Sequence, residues 1–382
     1  MRDSLDLVHV RNVRIGVGAV RRCADDVAAR GAGKVLIVTS QPIEHMTGGL
    51  AGQLAALGIA VQVHAAPDGE PTRADLARAM DAARRFGADF VIGFGGGSAL
   101  DVAKLIAALL DGRQEFVDVV GIGQVAGRAI PLACIPTTAG TGSEVTPIAI
   151  IEDEEAELKM GVVSPHLVPD YAYLDPELTV SMPRKVTAST GIDALTHCIE
   201  AYANRFAHPV VDCWALEGIR LIADNLETAC TDPGNLPARE AMLVASHLGG
   251  MCLGPVNTAA VHALAYPMGG EFHVPHGVAN SLLLPHVIRF NAEQVPERYA
   301  SVAHALGVAP TADVRADAEA GIARIEAISA AAGIDRRLRD VGIGANALPK
   351  MAAAAMTVQR LLSNNLRDVS EQQALQIYQA AL

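Results

Sequence analysis

Along the first half of the chain, short runs of apolar and β-branched residues alternate with stretches whose apolar positions recur every three or four residues. The runs 34–39, 59–64, 89–94 and 129–135 read as strands, and 46–57, 74–86 and 99–110 as helices between them. This alternation predicts a parallel sheet with crossover helices. From about Pro183 onward the strand signals stop. Helical periodicity then runs through 191–205, 210–230, 238–253, 258–268, 278–291, 312–331 and 370–382. The Pro- and Asp-containing passage 165–183 reads as a hinge. The expected organisation is therefore a Rossmann-like α/β domain over 1–182 and an all-α domain over 183–382.

Composition narrows the class. The chain is 51% hydrophobic with a mean hydropathy of +0.27, yet no apolar run reaches the roughly 18–20 residues that a membrane helix needs. Its six cysteines stand singly, with no CxxC pair, and Met1-Arg2-Asp3-Ser4-Leu5-Asp6 lacks a charged-then-apolar leader. A soluble protein of the reducing cytoplasm is expected. The net charge of -12 is dispersed, and no Lys/Arg cluster is interleaved with aromatics, which argues against nucleic acid or an anionic membrane as partner.

The candidate chemistry centres on Asp193 and His197, four residues apart in a segment whose Ser189-Thr190 reads as a helix start. Both side chains then project from one helical face. Alone, such a pair is more often a solvated hydrogen-bonded couple than a metal site. Two further histidines give it weight. His276 falls in the turn Val274-Pro275-His276-Gly277, and His262 lies among Ala259, Ala260, Val261, Ala263 and Leu264, where a coordinated neutral imidazole is easier to bury than a free one. One carboxylate and three imidazoles could close around a divalent cation.

Two glycine-rich turns suggest phosphate binding. The strand 89–94 runs into Gly95-Gly96-Gly97-Ser98 and then a helix, a context in which backbone N–H groups and a helix N-terminus meet an anion. The turn Pro136-Thr137-Thr138-Ala139-Gly140-Thr141-Gly142-Ser143-Glu144 also follows a strand. Two such turns suit a dinucleotide. Gly16-Val17-Gly18 precedes the strand 34–39, whose end, Thr39-Ser40-Gln41, carries no carboxylate to repel a 2′-phosphate and no Arg to attract one. NAD and NADP both stay open.

Together these segments resemble the iron-containing, group III alcohol dehydrogenase family. Gly95 to Lys104 is similar to its GGGSxxDxxK, Thr137 to Glu144 to its TTxGTGSE, Gly191 to Glu200 to its GxDALTHxxE, and His273 to Asn280 with Leu284-Pro285-His286 to its PHG…LLP stretch. The resemblance covers nearly the whole chain and implies the same two-domain, dehydroquinate-synthase-like architecture. It implies that Asp193, His197, His262 and His276 hold one metal, usually Fe(II) and sometimes Zn(II). It further implies cofactor contacts from Gly96, Gly97, Ser98, Asp101, Thr137, Thr138, Thr141, Lys159 and Leu178, with Gly95 and Ser40 beside them, and a homodimer. Two positions depart from the family pattern. Many members have an acid where Ser40 stands, and a second His where this chain has Tyr266, a poor proton acceptor with an ordinary pKa of about 10.

The expected reaction is hydride transfer between NAD(P) and a small to medium primary alcohol or aldehyde whose oxygen the metal polarises. Small or apolar residues at Ile148, Ala149, Leu253 and Ala259 point to that substrate size. A lyase of the dehydroquinate-synthase type is the nearest rival, but it should show a Lys/Arg cluster near the metal. A metal-free reductase of the maleylacetate type should lack the Asp/His set.

Overall fold

The computed structural model describes residues 4–67, 69–153, 158–334 and 337–382; Met1, Arg2 and Asp3 of the N-terminal segment read above lie outside them. The strands are β1 (Asn12–Ile15), β2 (Lys34–Ser40), β3 (Ala60–Ala66), β4 (Phe90–Gly95), β5 (Gly121–Ile122), β6 (Leu132–Pro136), β7 (Ile148–Asp153), β8 (Leu158–Val163) and β9 (Tyr171–Leu174). The helices of this half are α1 (Cys23–Ala29), α2 (Gly48–Ala56), α3 (Arg73–Phe86), α4 (Gly97–Leu109) and α5 (Phe116–Val119).

Six strands form one parallel sheet in the order β1-β9-β6-β4-β2-β3, and β5-β8-β7 form a small second sheet. Because successive side chains point to opposite faces, β2 sends Leu36 and Val38 into one core with α3 and α4, and Val35 and Ile37 into another with α1 and α2. A sheet covered on both faces needs near-continuous apolar strands, which is why 34–39 and 89–94 were legible. Gly93 on β4 has a packing reason: a Cβ there would sit 2.9 Å from the Ala103 Cβ and 3.2 Å from the Leu100 Cα of α4. The sheet order reverses between β2 and β4, the place where open α/β sheets bind ligands beyond their carboxyl ends.

The passage 165–183 is more than a hinge. It holds β9, which is buried throughout and hydrogen-bonds between β1 and β6. Its four residues are flanked by turn formers, so the segment resembled a connector. Strands β1, β5, β7 and β8 also lie outside the sequence reading; β1 is a half-exposed four-residue edge, too short for periodicity to register.

After Ser181 the described residues fold as helices: α6 (Arg184–Tyr202), α7 (Pro209–Thr231), α8 (Leu236–Leu253), α9 (Ala260–Phe272), α10 (His276–Ala292), α11 (Pro296–Ala305), α12 (Val314–Ala332), α13 (Leu348–Ala355), α14 (Gln359–Leu362) and α15 (Glu371–Ala381). Two compact units result: Val8–Thr138 with Gly142–Ser181, and Met182–Leu382 joined by Ala139–Thr141 and the N-terminal residues up to Leu7. In the helical unit α6 is buried on every side from Gly191 to Tyr202, its polar stripe of Asp193, His197 and Glu200 included. It begins seven residues before the start read at Gly191. Ser189 and Thr190 do not cap it; their hydroxyls donate back to the Val186 carbonyl within the helix, and Pro183 precedes the first turn. His276 likewise opens α10 rather than sitting in a turn. No helix among the described residues is long and apolar enough to cross a membrane.

Candidate metal centre and cofactor turns

Three helices deliver four side chains to one point. Asp193 and His197 lie one turn apart on α6, His262 is the third residue of α9 and His276 the first of α10. Asp193 Oδ1 is 3.8 Å from His197 Nε2, 3.6 Å from His262 Nε2 and 3.7 Å from His276 Nε2. Four ligands about 2.1 Å from one tetrahedral ion stand about 3.4 Å apart. The spacing and the donor set fit a divalent metal, with the Asp193, His262 and His276 atoms all mutually within 4.8 Å. The His197 and His262 rings stack with centroids 4.9 Å apart, which holds both edges toward the carboxylate. The close approach that places His276 requires Gly277, because a Cβ there would run into the Ser189 carbonyl of α6. His276 is also the most open of the set, its side chain 29% exposed against 4–6% for the others.

The four groups are electrostatically coupled. Burial opposes ionisation of Asp193, but His197, His276 and His262 outweigh it and hold the carboxyl well below the usual range. Burial pushes His197 down. Burial also works against a charged His262, yet the carboxylates of Glu200 and Asp193 raise it to about 9.

Two residues around the centre carried no role in the sequence reading. Glu200 Oε2 lies 2.5 Å from His262 Nδ1. Asn280 Nδ2 donates to Asp193 Oδ1 at 2.8 Å and lies 3.1 and 3.3 Å from His262 and His276 Nε2. Acceptor atoms converging on one point need a donor or a cation among them, and the Asn280 amide supplies donors. A signal for both was present: Glu200 completes an i, i+4, i+7 stripe with Asp193 and His197, and Asn280 is four residues after His276.

The glycine-rich turns lie at the carboxyl ends of the parallel strands. Gly95 ends β4, and Gly96 caps α4 with no side-chain hydrogen bond and no acid in the first turn, leaving a helix N-terminus suited to phosphate. A Cβ on Gly96 would lie 3.4 Å from Thr138, so the two turns touch. Thr137 N donates to the Gly95 carbonyl at 3.0 Å, and Ser98 Oγ donates to the Gly69 carbonyl at 2.8 Å. Ser40 ends β2 on the other side of the switch point. Lys159, on β8, reaches Glu70 at 2.7 Å, Leu178 packs on the core beside α1 and α2, and Thr141 groups with the helical unit.

Asp101 faces inward. Its Oδ1 accepts from Ser143 Oγ at 2.5 Å and its Oδ2 from Ile150 N at 2.9 Å, beside Lys104 Nζ at 3.7 Å. Of the residues invoked for substrate size, Ala149 belongs to the core packed against α4, and Leu253 and Ala259 are buried at 7% and 1% exposure. The small volumes at these positions follow from close packing.

Residues 11–176 match the family model described as "Iron-containing alcohol dehydrogenase", and residues 187–382 match "Fe-containing alcohol dehydrogenase family, C-terminal". The chain is 37% identical over 388 aligned residues to "Probable alcohol dehydrogenase EutG" of Escherichia coli (strain K12), covering 99% of this chain and 96% of that one. A crystal structure of 1,3-propanediol oxidoreductase superposes with a TM-score of 0.95 at 34% identity, covering 99% of this chain and all of that one. Sulfoacetaldehyde reductase from Bifidobacterium kashiwanohense, in complex with NAD+, superposes at 0.88 with 27% identity, covering 100% and 99%. The chain belongs to the iron-containing alcohol dehydrogenase family.

Proposed function

We propose that this chain interconverts a small primary alcohol and its aldehyde, using a divalent metal and a nicotinamide dinucleotide. One observation carries the reading: the Asp193 carboxylate faces three imidazole nitrogens at 3.6–3.8 Å in a nearly closed site. When bound, the metal supplies Lewis acidity to the substrate oxygen and the cofactor supplies or accepts the hydride. The protein's own part is to hold and shape. Asp193, His197, His262 and His276 hold the ion, and the burial of the first three keeps bulk water from their donor atoms. The more open side at His276 is the one left for substrate.

In the same reading, the α/β unit binds the dinucleotide and the helical unit binds the metal. The turn residues Gly95, Gly96, Gly97 and Ser98 cradle phosphate through the first turn of α4. Thr137, Thr138 and Thr141 offer hydroxyls, while Lys159 and Leu178 flank the cofactor. Asp101 serves the cofactor through the shape of the second turn, which it grips at Ser143. Fe(II) is the resident ion by family; imidazole donors also accept zinc, which the general affinity order favours. The free cysteines agree with a reducing cytoplasm, and a homodimer is the proposed assembly.

Ser40 sets the cofactor test. With no carboxylate at the end of β2, NADPH is tolerated beside NADH. The Ser40→Asp variant is expected to lower kcat/KM with NADPH about 100-fold more than with NADH, because placing like charges together costs several kcal/mol. Steady-state rates with both cofactors check this, and equal losses for the two would remove Ser40 from the ribose site.

A further inference from the structure

Resting on the proposed metal centre, the geometry points to Glu200 as a positioning residue that fixes the tautomer of His262 and supplies the second negative charge balancing a divalent ion. Glu200 sits on α6, one turn beyond His197, and is 4% exposed. Its two oxygens make different contacts with the same neighbouring helix. Oε1 accepts the Val261 N–H at 2.6 Å, and Oε2 lies 2.5 Å from His262 Nδ1.

The first contact has a structural reason. Helix α9 begins after Ala259, which offers no side-chain cap, and its first turn contains no acid. The first N–H groups of a helix need an acceptor. Glu200 supplies one from another helix, and its negative charge suits the positive end of α9. Because α6 also carries Asp193 and His197, the same side chain ties His262 in register with two other ligands.

The second contact sets the chemistry. A carboxylate only accepts hydrogen bonds, so Nδ1 keeps its proton toward Glu200, and the proton a metal would displace is the one on Nε2, which faces Asp193 Oδ1 at 3.6 Å. Carboxylates behind metal-ligating histidines orient the ring and raise its basicity as a ligand. Among the described residues, Glu200 pairs with His262 and with no Lys or Arg. Asp193 and Glu200 thus bring two negative charges into one buried site, the number a divalent cation neutralises.

The test is metal affinity of the full chain, stripped and then titrated with Co(II) and Zn(II) against a competing chelator. Glu200→Gln keeps the shape and an acceptor for Val261 N–H but removes the charge. It is expected to weaken both metals by about 10–100-fold while still binding one ion per chain and keeping the metal-free melting temperature close to that of the parent. Wild-type affinity in this variant would overturn the proposal and leave Glu200 as a helix cap, whatever the melting temperature does. Should Glu200→Gln not fold, Glu200→Asp, which keeps the charge but shortens the reach, is titrated in the same way; an unchanged affinity again overturns the proposal. A parent chain that binds neither metal would instead bring down the metal centre itself, a distinct outcome seen before any variant is made.

Discussion

Asp193→Ala is expected to leave the protein folded, with less than about a tenth of the parent's metal, and to lower kcat/KM for aldehyde reduction by about 1,000-fold or more. Asp193 Oδ1 faces all three imidazole nitrogens of the centre, so the substitution removes a proposed ligand and its negative charge. Lewis-acid stabilisation is worth several kcal/mol, and each 1.36 kcal/mol is tenfold in rate. Metal analysis and steady-state kinetics read both effects, and far-ultraviolet circular dichroism separates them from unfolding. Metal content near the parent's together with lost activity would mean that Asp193 acts on substrate and the ion sits elsewhere.

The second large effect concerns stability. Lys104 is fully buried; its Nζ donates to Ser143 Oγ at 2.8 Å, Thr146 Oγ1 at 2.9 Å and the Ile148 carbonyl at 2.8 Å. Burial pushes the Lys104 ammonium down and the Asp101 carboxyl up, and each group's charge opposes the shift of the other. Lys104→Met leaves the Asp101 carboxylate without its cation, and breaking a buried pair from one side costs about 3–5 kcal/mol. Urea unfolding should show a lower midpoint with little change in slope. The double variant Asp101→Asn with Lys104→Met should regain part of the loss, since no uncompensated charge then remains. Because Lys104 joins α4 to the second glycine-rich turn through Ser143, the single variant should also raise KM for the cofactor. A change in cofactor KM with no loss of stability would contradict the stabilising role of the buried Lys104–Asp101 pair.

Legibility in the sequence followed burial. The doubly covered strands β2 and β4 are near-continuous apolar runs and stood out, whereas β9 is four residues set among turn formers and was read as a hinge. Helix α6 buries its apolar and polar faces alike from Gly191 to Tyr202, so the contrast that marks helix ends was missing, and hydroxyls used internally at Ser189 and Thr190 imitated a cap. The proposed ligands were legible because Asp193 and His197 share one helix. That His276 joins them follows from Gly277, whose close approach to Ser189 no local rule exposes, and His262 is brought in by the contacts of α9 with Glu200. Glu200 and Lys104 were quoted within motifs without roles, because what each does depends on groups that only folding brings near: the first turn of α9 for one, Asp101 and Ser143 for the other.

The central claim, a metal held by Asp193, His197, His262 and His276, is tested most directly by counting metal in protein purified without oxygen and following aldehyde reduction through chelation and reloading. The account predicts about one Fe or Zn per chain, activity lost on chelation, and recovery with Fe(II). Full activity after the metal is removed would contradict it.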